Sequence, residues 1–184
     1  DAPIGEDEHA APLSCYGVGK LAAENYLNVF GKQLSSVSLR MFNVYGPGQD
    51  MTNLRQGMVS IYLAQALTNK HIVVKGSLER FRDFIYIDDV VEAWFRAATF
   101  VGIGGGVGGN TINIGTGVRT TVAQVLEAVK ANVVGTTVEV IDPTPGDQNG
   151  IFADTARMRA LLGMSDFVQL TDGVKRFSDF VKTV

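Results

Sequence analysis

What this 184-residue chain lacks narrows its chemistry before any motif is read. A single cysteine, Cys15, excludes an intramolecular disulfide and fits a reducing compartment. No apolar run reaches the roughly 18 residues that a membrane-spanning helix needs, and the acidic opening from Asp1 to His9 is unlike a signal sequence. A net charge of −3 without a basic cluster gives no electrostatic footprint for nucleic acid. Neither an internal repeat nor a low-complexity linker divides the chain, and no metal-ligand set is expected. The expectation is a soluble, cytoplasmic protein with one good core, in keeping with 46% hydrophobic and 19% charged residues.

A working dinucleotide turn is also missing. Gly104-Gly105-Gly106-Val107-Gly108-Gly109 matches the G-x-G-x-x-G pattern, but a helix is expected before it and a strand after it. Pyrophosphate binding needs the reverse order, so that the anion meets a helix N-terminus. The segment therefore reads as a flexible loop.

What is present starts at Ser14-Cys15-Tyr16-Gly17-Val18-Gly19-Lys20, with a helix continuing to Phe30 and ended by Gly31. Tyr16 and Lys20 are four residues apart, so on a helix they share a face. An ammonium beside a phenol favours the phenolate, which turns a tyrosine into a usable general base. Cys15 has no base partner and reads as a passive helix-start residue.

In chain order, Glu6, Asp7 and Glu8 read as solvated surface charge. Leu34 to Phe42 alternates as a buried strand, and Asn43 to Asp50 forms the loop at its carboxyl end, where open α/β sheets place their ligands. Gln56 to Thr68 is an amphipathic helix, His71 to Lys75 a strand, and Arg82 to Ile87 another, with Asp88 or Asp89 capping a helix to Phe100. Trp94 on that helix reads as a core or interface anchor. Thr111 to Ile114 and Thr137 to Ile141 are strands, with a helix between them capped by Thr120 or Thr121. Asp154 caps a helix ended by Gly163, and Thr171 or Asp172 starts the last helix.

Four stretches in order carry a family resemblance: Pro12 to Glu24 around Tyr16 and Lys20, Leu39-Arg40-Met41-Phe42-Asn43-Val44-Tyr45-Gly46, Arg82-Asp83-Phe84-Ile85-Tyr86-Ile87-Asp88-Asp89, and Asn113-Ile114-Gly115-Thr116-Gly117. The chain resembles the extended short-chain dehydrogenase/reductases, and within them the UDP-glucose 4-epimerase-like nucleotide-sugar epimerases and dehydratases. It matches their second half. The resemblance implies an α/β fold: a partial Rossmann-like parallel sheet flanked by helices, plus a smaller α/β substrate-binding lobe. Residues 1–46 and 83–117 would belong to the Rossmann layer, and 47–82 and 118–184 to the substrate lobe, from which the last helix could return to the first layer. The strands at 37–42, 83–87 and 111–114 would form one flank of a parallel sheet with an unpaired edge.

The same resemblance implies NAD, rather than NADP, and a nucleotide sugar, UDP-linked by preference. Tyr16 would move the sugar hydroxyl proton through a transient keto-sugar, and Lys20 would lower its pKa and hold the nicotinamide ribose. Phe42 matches a position whose backbone lies by the nicotinamide. Asn43, Asn53, Leu54 and Arg82 match substrate positions: Asn43 and Arg82 those that contact the diphosphate, and Asn53-Leu54 the diphosphate-loop pair. Thr144 stands where epimerases often carry an arginine, and Ile151 where some carry a tyrosine; Arg80 is a candidate to replace the lost charge from the same strand face. Two partners stay open, a second copy and an absent N-terminal half. Three functions stay open as well: an NAD-dependent epimerase or dehydratase, a nucleotide-sugar-binding fragment without activity of its own, and an assembly partner.

Overall fold

The computed structural model describes residues 2–31, 33–102, 110–143 and 149–183. The glycine-rich loop at 104–109 and Thr144 lie outside the described residues. Helix α1 (Cys15–Phe30) opens on Ser14, whose Oγ accepts the Gly17 N–H at 3.1 Å, and closes on Gly31. It leads to β1 (Val37–Met41) and β2 (Asn43–Tyr45). Then come α2 (Met58–Asn69), β3 (His71–Lys75), β4 (Phe81–Arg82), β5 (Phe84–Tyr86) and α3 (Ile87–Gly102). The chain continues through β6 (Asn110–Ile114), β7 (Thr120–Thr121), α4 (Val122–Asn132), β8 (Thr137–Ile141), β9 (Gly150–Ile151), α5 (Ala156–Leu162) and α6 (Leu170–Val181).

The pairings β1 with β6, β2 with β5 and β3 with β8 are all parallel, so each is joined by a helical crossover and covered by helices. A small mixed sheet has β4 between antiparallel β7 and parallel β9. Two apolar clusters result. One gathers α2, α4 and α6 around β3, Tyr45 and Phe84; the other sets α3 and α5 against β6 around Ile112, Ile114 and Met158.

Two sequence expectations change because the chain changes partner strands. The strand expected over 34–42 begins at Val37 and breaks at Phe42. There the Phe42 N–H still donates to Ile114 O on β6, whereas the Asn43 N–H donates to Asp83 O beside β5. The backbone thus passes from one ladder to the next, and Asn43 stands in a strand, with the loop beginning at Gly46. The strand expected over 82–87 breaks likewise at Asp83, and α3 starts at Ile87. Asp88 and Asp89 therefore lie in the first helical turn, where a carboxylate meets the positive end of the helix dipole, and not at the cap.

Other expectations are corrected by packing. Glu6 is not surface charge: its side chain is 6% exposed and its Oε1 accepts the Asn113 N–H at 2.8 Å. Of the two places expected for Trp94, core or interface, the core is excluded, since it stands 55% exposed beside exposed Phe95 and Val91. Arg80 precedes β4 in a turn, where its guanidinium donates to the carbonyls of Ser77 (3.1 Å) and Lys75. It shares no strand face with Arg82. The cap of α4 is as expected, with Thr121 and Gln124 forming a reciprocal capping box.

Candidate active site

Tyr16 sits near the start of α1, 72% exposed, with Lys20 one turn later. The Lys20 ammonium lies 5.4 Å from the Tyr16 ring centroid, within the reach of a cation–π contact. The half-buried stripe of this helix is Gly17, Leu21, Glu24 and Leu27, which turns it onto β1 and leaves Tyr16 and Lys20 beside the contact.

Two concavities meet at Tyr16. A cleft of about 450 Å³ is lined by Tyr16, Phe42, Asn43, Gln49, Asn53 and Phe84, among others. A groove of about 740 Å³ between α1 and β1 is lined by Tyr16, Lys20, Glu24, Arg40 and Trp94, among others. The fold thus brings Tyr16, Phe42, Asn43 and Asn53 to one cleft, although 37 residues separate the first of them from the last. Lys20 reaches Tyr16 from the groove side.

The remaining expected residues stand elsewhere. Leu54 is exposed and Arg82 lies on β4, and neither lines the cleft. Arg82 donates from Nη1 to its neighbour's carbonyl at Phe81 (2.7 Å) and stands opposite Ile151 in the parallel pairing of β4 and β9. Asn53 closes an Asx turn, its Oδ1 accepting the Arg55 N–H at 3.0 Å. Asn43 commits one N–H of its amide to the protein, Nδ2 donating to Asp83 O at 3.1 Å.

Sequence reasoning missed the residue that joins these pieces, Asp83. Wholly buried between Arg82 and Phe84, its two oxygens accept from Thr116 N–H (2.8 Å), Thr116 Oγ1 (2.7 Å), Gly117 N–H (2.9 Å) and Ala153 N–H (3.1 Å). Its carbonyl meanwhile holds Asn43. Gly115 is small for the same reason, because a Cβ there would lie 2.6 Å from Asp83 Oδ2. The signal was available: an acid inside an otherwise apolar strand pattern must find donors.

Burial, together with the charges of Asp89 and Asp172, pushes the Tyr45 hydroxyl well above the ordinary phenol range, which removes it as a base although it borders the same cleft. Tyr16, by contrast, is open to solvent. Phenol and ammonium together form a donor and acceptor pair that fits a ribose diol or a sugar hydroxyl. Among the described residues, no group of His, Cys, Asp and Glu could hold a metal ion, and no helix is long and apolar enough to cross a membrane.

Parallel strand pairs with helical crossovers, and a cleft in which Tyr16 stands beside Met41 and Phe42 at the carboxyl end of β1, define a Rossmann-type α/β fold. Comparison with known proteins agrees. The chain belongs to the NAD dependent epimerase/dehydratase family, whose model matches residues 1–115. It is 34% identical over 183 residues to the dTDP-4-dehydro-6-deoxyglucose reductase of Escherichia coli, covering 96% of this chain and 55% of that one. It is 33% identical to the UDP-glucose 4-epimerase of Mycolicibacterium smegmatis, covering 98% and 56%. A solved UDP-glucuronic acid 4-epimerase from Bacillus cereus, in complex with UDP-glucuronic acid and NAD, superposes with a TM-score of 0.86 at 28% identity, over all of this chain and 57% of that one. The chain therefore spans about half the length of the relatives it matches.

Proposed function

We propose that this chain carries the proton-transfer and sugar-holding part of an NAD-dependent nucleotide-sugar epimerase or dehydratase. The observation that carries the reading is the position of Tyr16, which lines both the cleft shared with Phe42, Asn43 and Asn53 and the groove shared with Lys20. Nicotinamide dinucleotide, when bound, supplies the hydride acceptor and donor. Tyr16 takes the proton from the sugar hydroxyl as the keto-sugar forms and returns it afterwards. Lys20, with its ammonium beside the ring, stabilises the negative charge that develops on the phenol oxygen and offers its N–H groups to the ribose. Phe42, which lines the cleft beside Tyr16, would border the nicotinamide with its backbone. Asn43 and Asn53 line the cleft and would orient the nucleotide; Leu54 and Arg82, which stand outside the cleft, would meet it only where its diphosphate extends beyond that cleft. In this reading residues 1–46 and 83–117 form the cofactor layer, and 47–82 and 118–184 the sugar lobe.

The length of the relatives favours a second reading. Each extends well beyond this chain, so the 184 residues could hold a nucleotide sugar without turning it over alone. Calorimetric titration with NAD, with and without UDP-glucose, separates the two. Micromolar NAD binding supports an assembled site, whereas UDP-glucose binding alone supports the holding fragment. Where turnover is measurable, Tyr16→Phe removes the transferring hydroxyl and is expected to lower kcat by about 100- to 10,000-fold. Full turnover by Tyr16→Phe would refute the assignment.

A further inference from the structure

The helix that bears Tyr16 and Lys20 has no buried residue, and all of its 16 residues are described. A helix is ordinarily seated by an apolar face pressed into a core. Here a charged residue, Glu24, stands within the half-buried stripe of α1, its side chain 15% exposed. It lies one turn after Lys20 and two after Tyr16, on the same side of the helix. Arg40 of β1 grips it with both prongs of the guanidinium: Nε donates to Oε2 at 3.0 Å and Nη2 to Oε1 at 2.6 Å. The third nitrogen, Nη1, donates to the carbonyl of Glu6 at 2.9 Å. Glu6 is itself locked, because its carboxylate accepts the N–H of Asn113, the residue directly across the β1–β6 ladder from Arg40. The Asn113 Nδ2 completes the strap by donating to Ile4 O at 2.8 Å.

We propose that Arg40 is the positioning residue of this site. It holds α1 through Glu24 and the preceding loop through Glu6, and so sets where the Tyr16 hydroxyl lies between cleft and groove. The proposal rests on the reading that Tyr16 transfers the proton. A bidentate fork fixes rotation as well as distance, which a single ammonium cannot do, and half-exposed packing alone leaves rotation about the helix axis weakly held. Rotation matters because a displacement of about 1 Å at a proton-transfer atom costs on the order of 100-fold in rate.

The test compares the full chain with its Arg40→Lys and Glu24→Gln variants and with the charge-exchanged pair R40E/E24R. Amide hydrogen exchange over residues 18–30 is read in each, together with kcat and KM for UDP-glucose in the presence of NAD. In both single variants, exchange in α1 should rise by roughly tenfold while that of α4 stays unchanged, with partial recovery in the exchanged pair. Where turnover is measurable, Arg40→Lys should lower kcat by about 10- to 100-fold with KM within about twofold. Unchanged exchange in α1 in both single variants overturns the clamp, whether or not the chain turns over. Faster exchange with unchanged kcat overturns the positioning role. Full turnover by Tyr16→Phe, with α1 still loosened in Arg40→Lys, refutes the role of the tyrosine and leaves the clamp standing, so the two failures are distinguishable.

Discussion

At the scale of single residues, Asp83 shows how much of the site depends on one satisfied acceptor. Four donors from two separate segments converge on its side-chain oxygens, while its backbone carbonyl holds a third segment at Asn43. An amide in its place would turn a donor toward the N–H of Gly117 or Ala153 and leave a buried group unmatched. Asp83→Asn is therefore expected to destabilise the fold by about 3 kcal/mol, read as a lower urea midpoint. A midpoint within error of the parent would refute this account. Tyr16 and Lys20 were legible in the sequence because the helical repeat alone puts residues four apart on one face. Glu6 was not, because nothing local distinguishes it from its acidic neighbours: Asp7 stays exposed and pairs with Arg157 at 2.7 Å, while Glu6 turns inward to Asn113. The bond from the Asn43 amide to Asp83 was not legible either, since the two are 40 residues apart.

At the scale of elements, the first turn of α3 makes a pH prediction. Burial raises the Asp89 carboxyl above its ordinary value of 3.8, opposed by the hydrogen bond from the Val168 N–H and by Arg176, with the neighbouring charge of Asp88 adding to the rise. A raised folded-state value means that the native state holds its proton to higher pH than the unfolded chain. Stability from this group then falls as pH rises from the ordinary carboxylate range through the folded value, and stays low above it. Asp89→Asn keeps an oxygen for Val168 and removes the charge. Its melting temperature should exceed the parent's at neutral pH, with the difference shrinking as the pH falls into the carboxylate range. A difference that grows toward acid would refute this. Elements with local signals were read well. The strands His71–Lys75 and Thr137–Ile141 match to the residue, and α4 starts after Thr121, one of the two expected caps, and ends at Asn132. The breaks at Phe42 and Asp83 were not legible, because each marks the step from one ladder to another and not a change in local preference.

At the scale of the whole molecule, α1 and α3 both leave large apolar side chains open. Tyr26, Val29 and Phe30 on α1 and Val91, Trp94 and Phe95 on α3 are exposed, and among the described residues β1 bonds to no strand but β6. An unpaired strand edge beside exposed aromatic side chains is a surface that associates. Sedimentation of the purified chain should show concentration-dependent association at micromolar concentrations, weakened in Trp94→Lys. A monomer throughout that range would refute the expectation.

The sequence by itself determined the α/β class, most of the helices and strands, the family and the tyrosine–lysine pair, because caps, turn residues and the two periodicities act over a few neighbouring residues. Only the tertiary structure decided that Tyr16 borders both cleft and groove, that Arg82 and Leu54 stand outside the cleft, that Asp83 ties three segments together, and that Arg40 grips the tyrosine helix. Those facts depend on which distant segments lie opposite one another once the strands pair and the helices cover them, and short-range spacing carries no record of that.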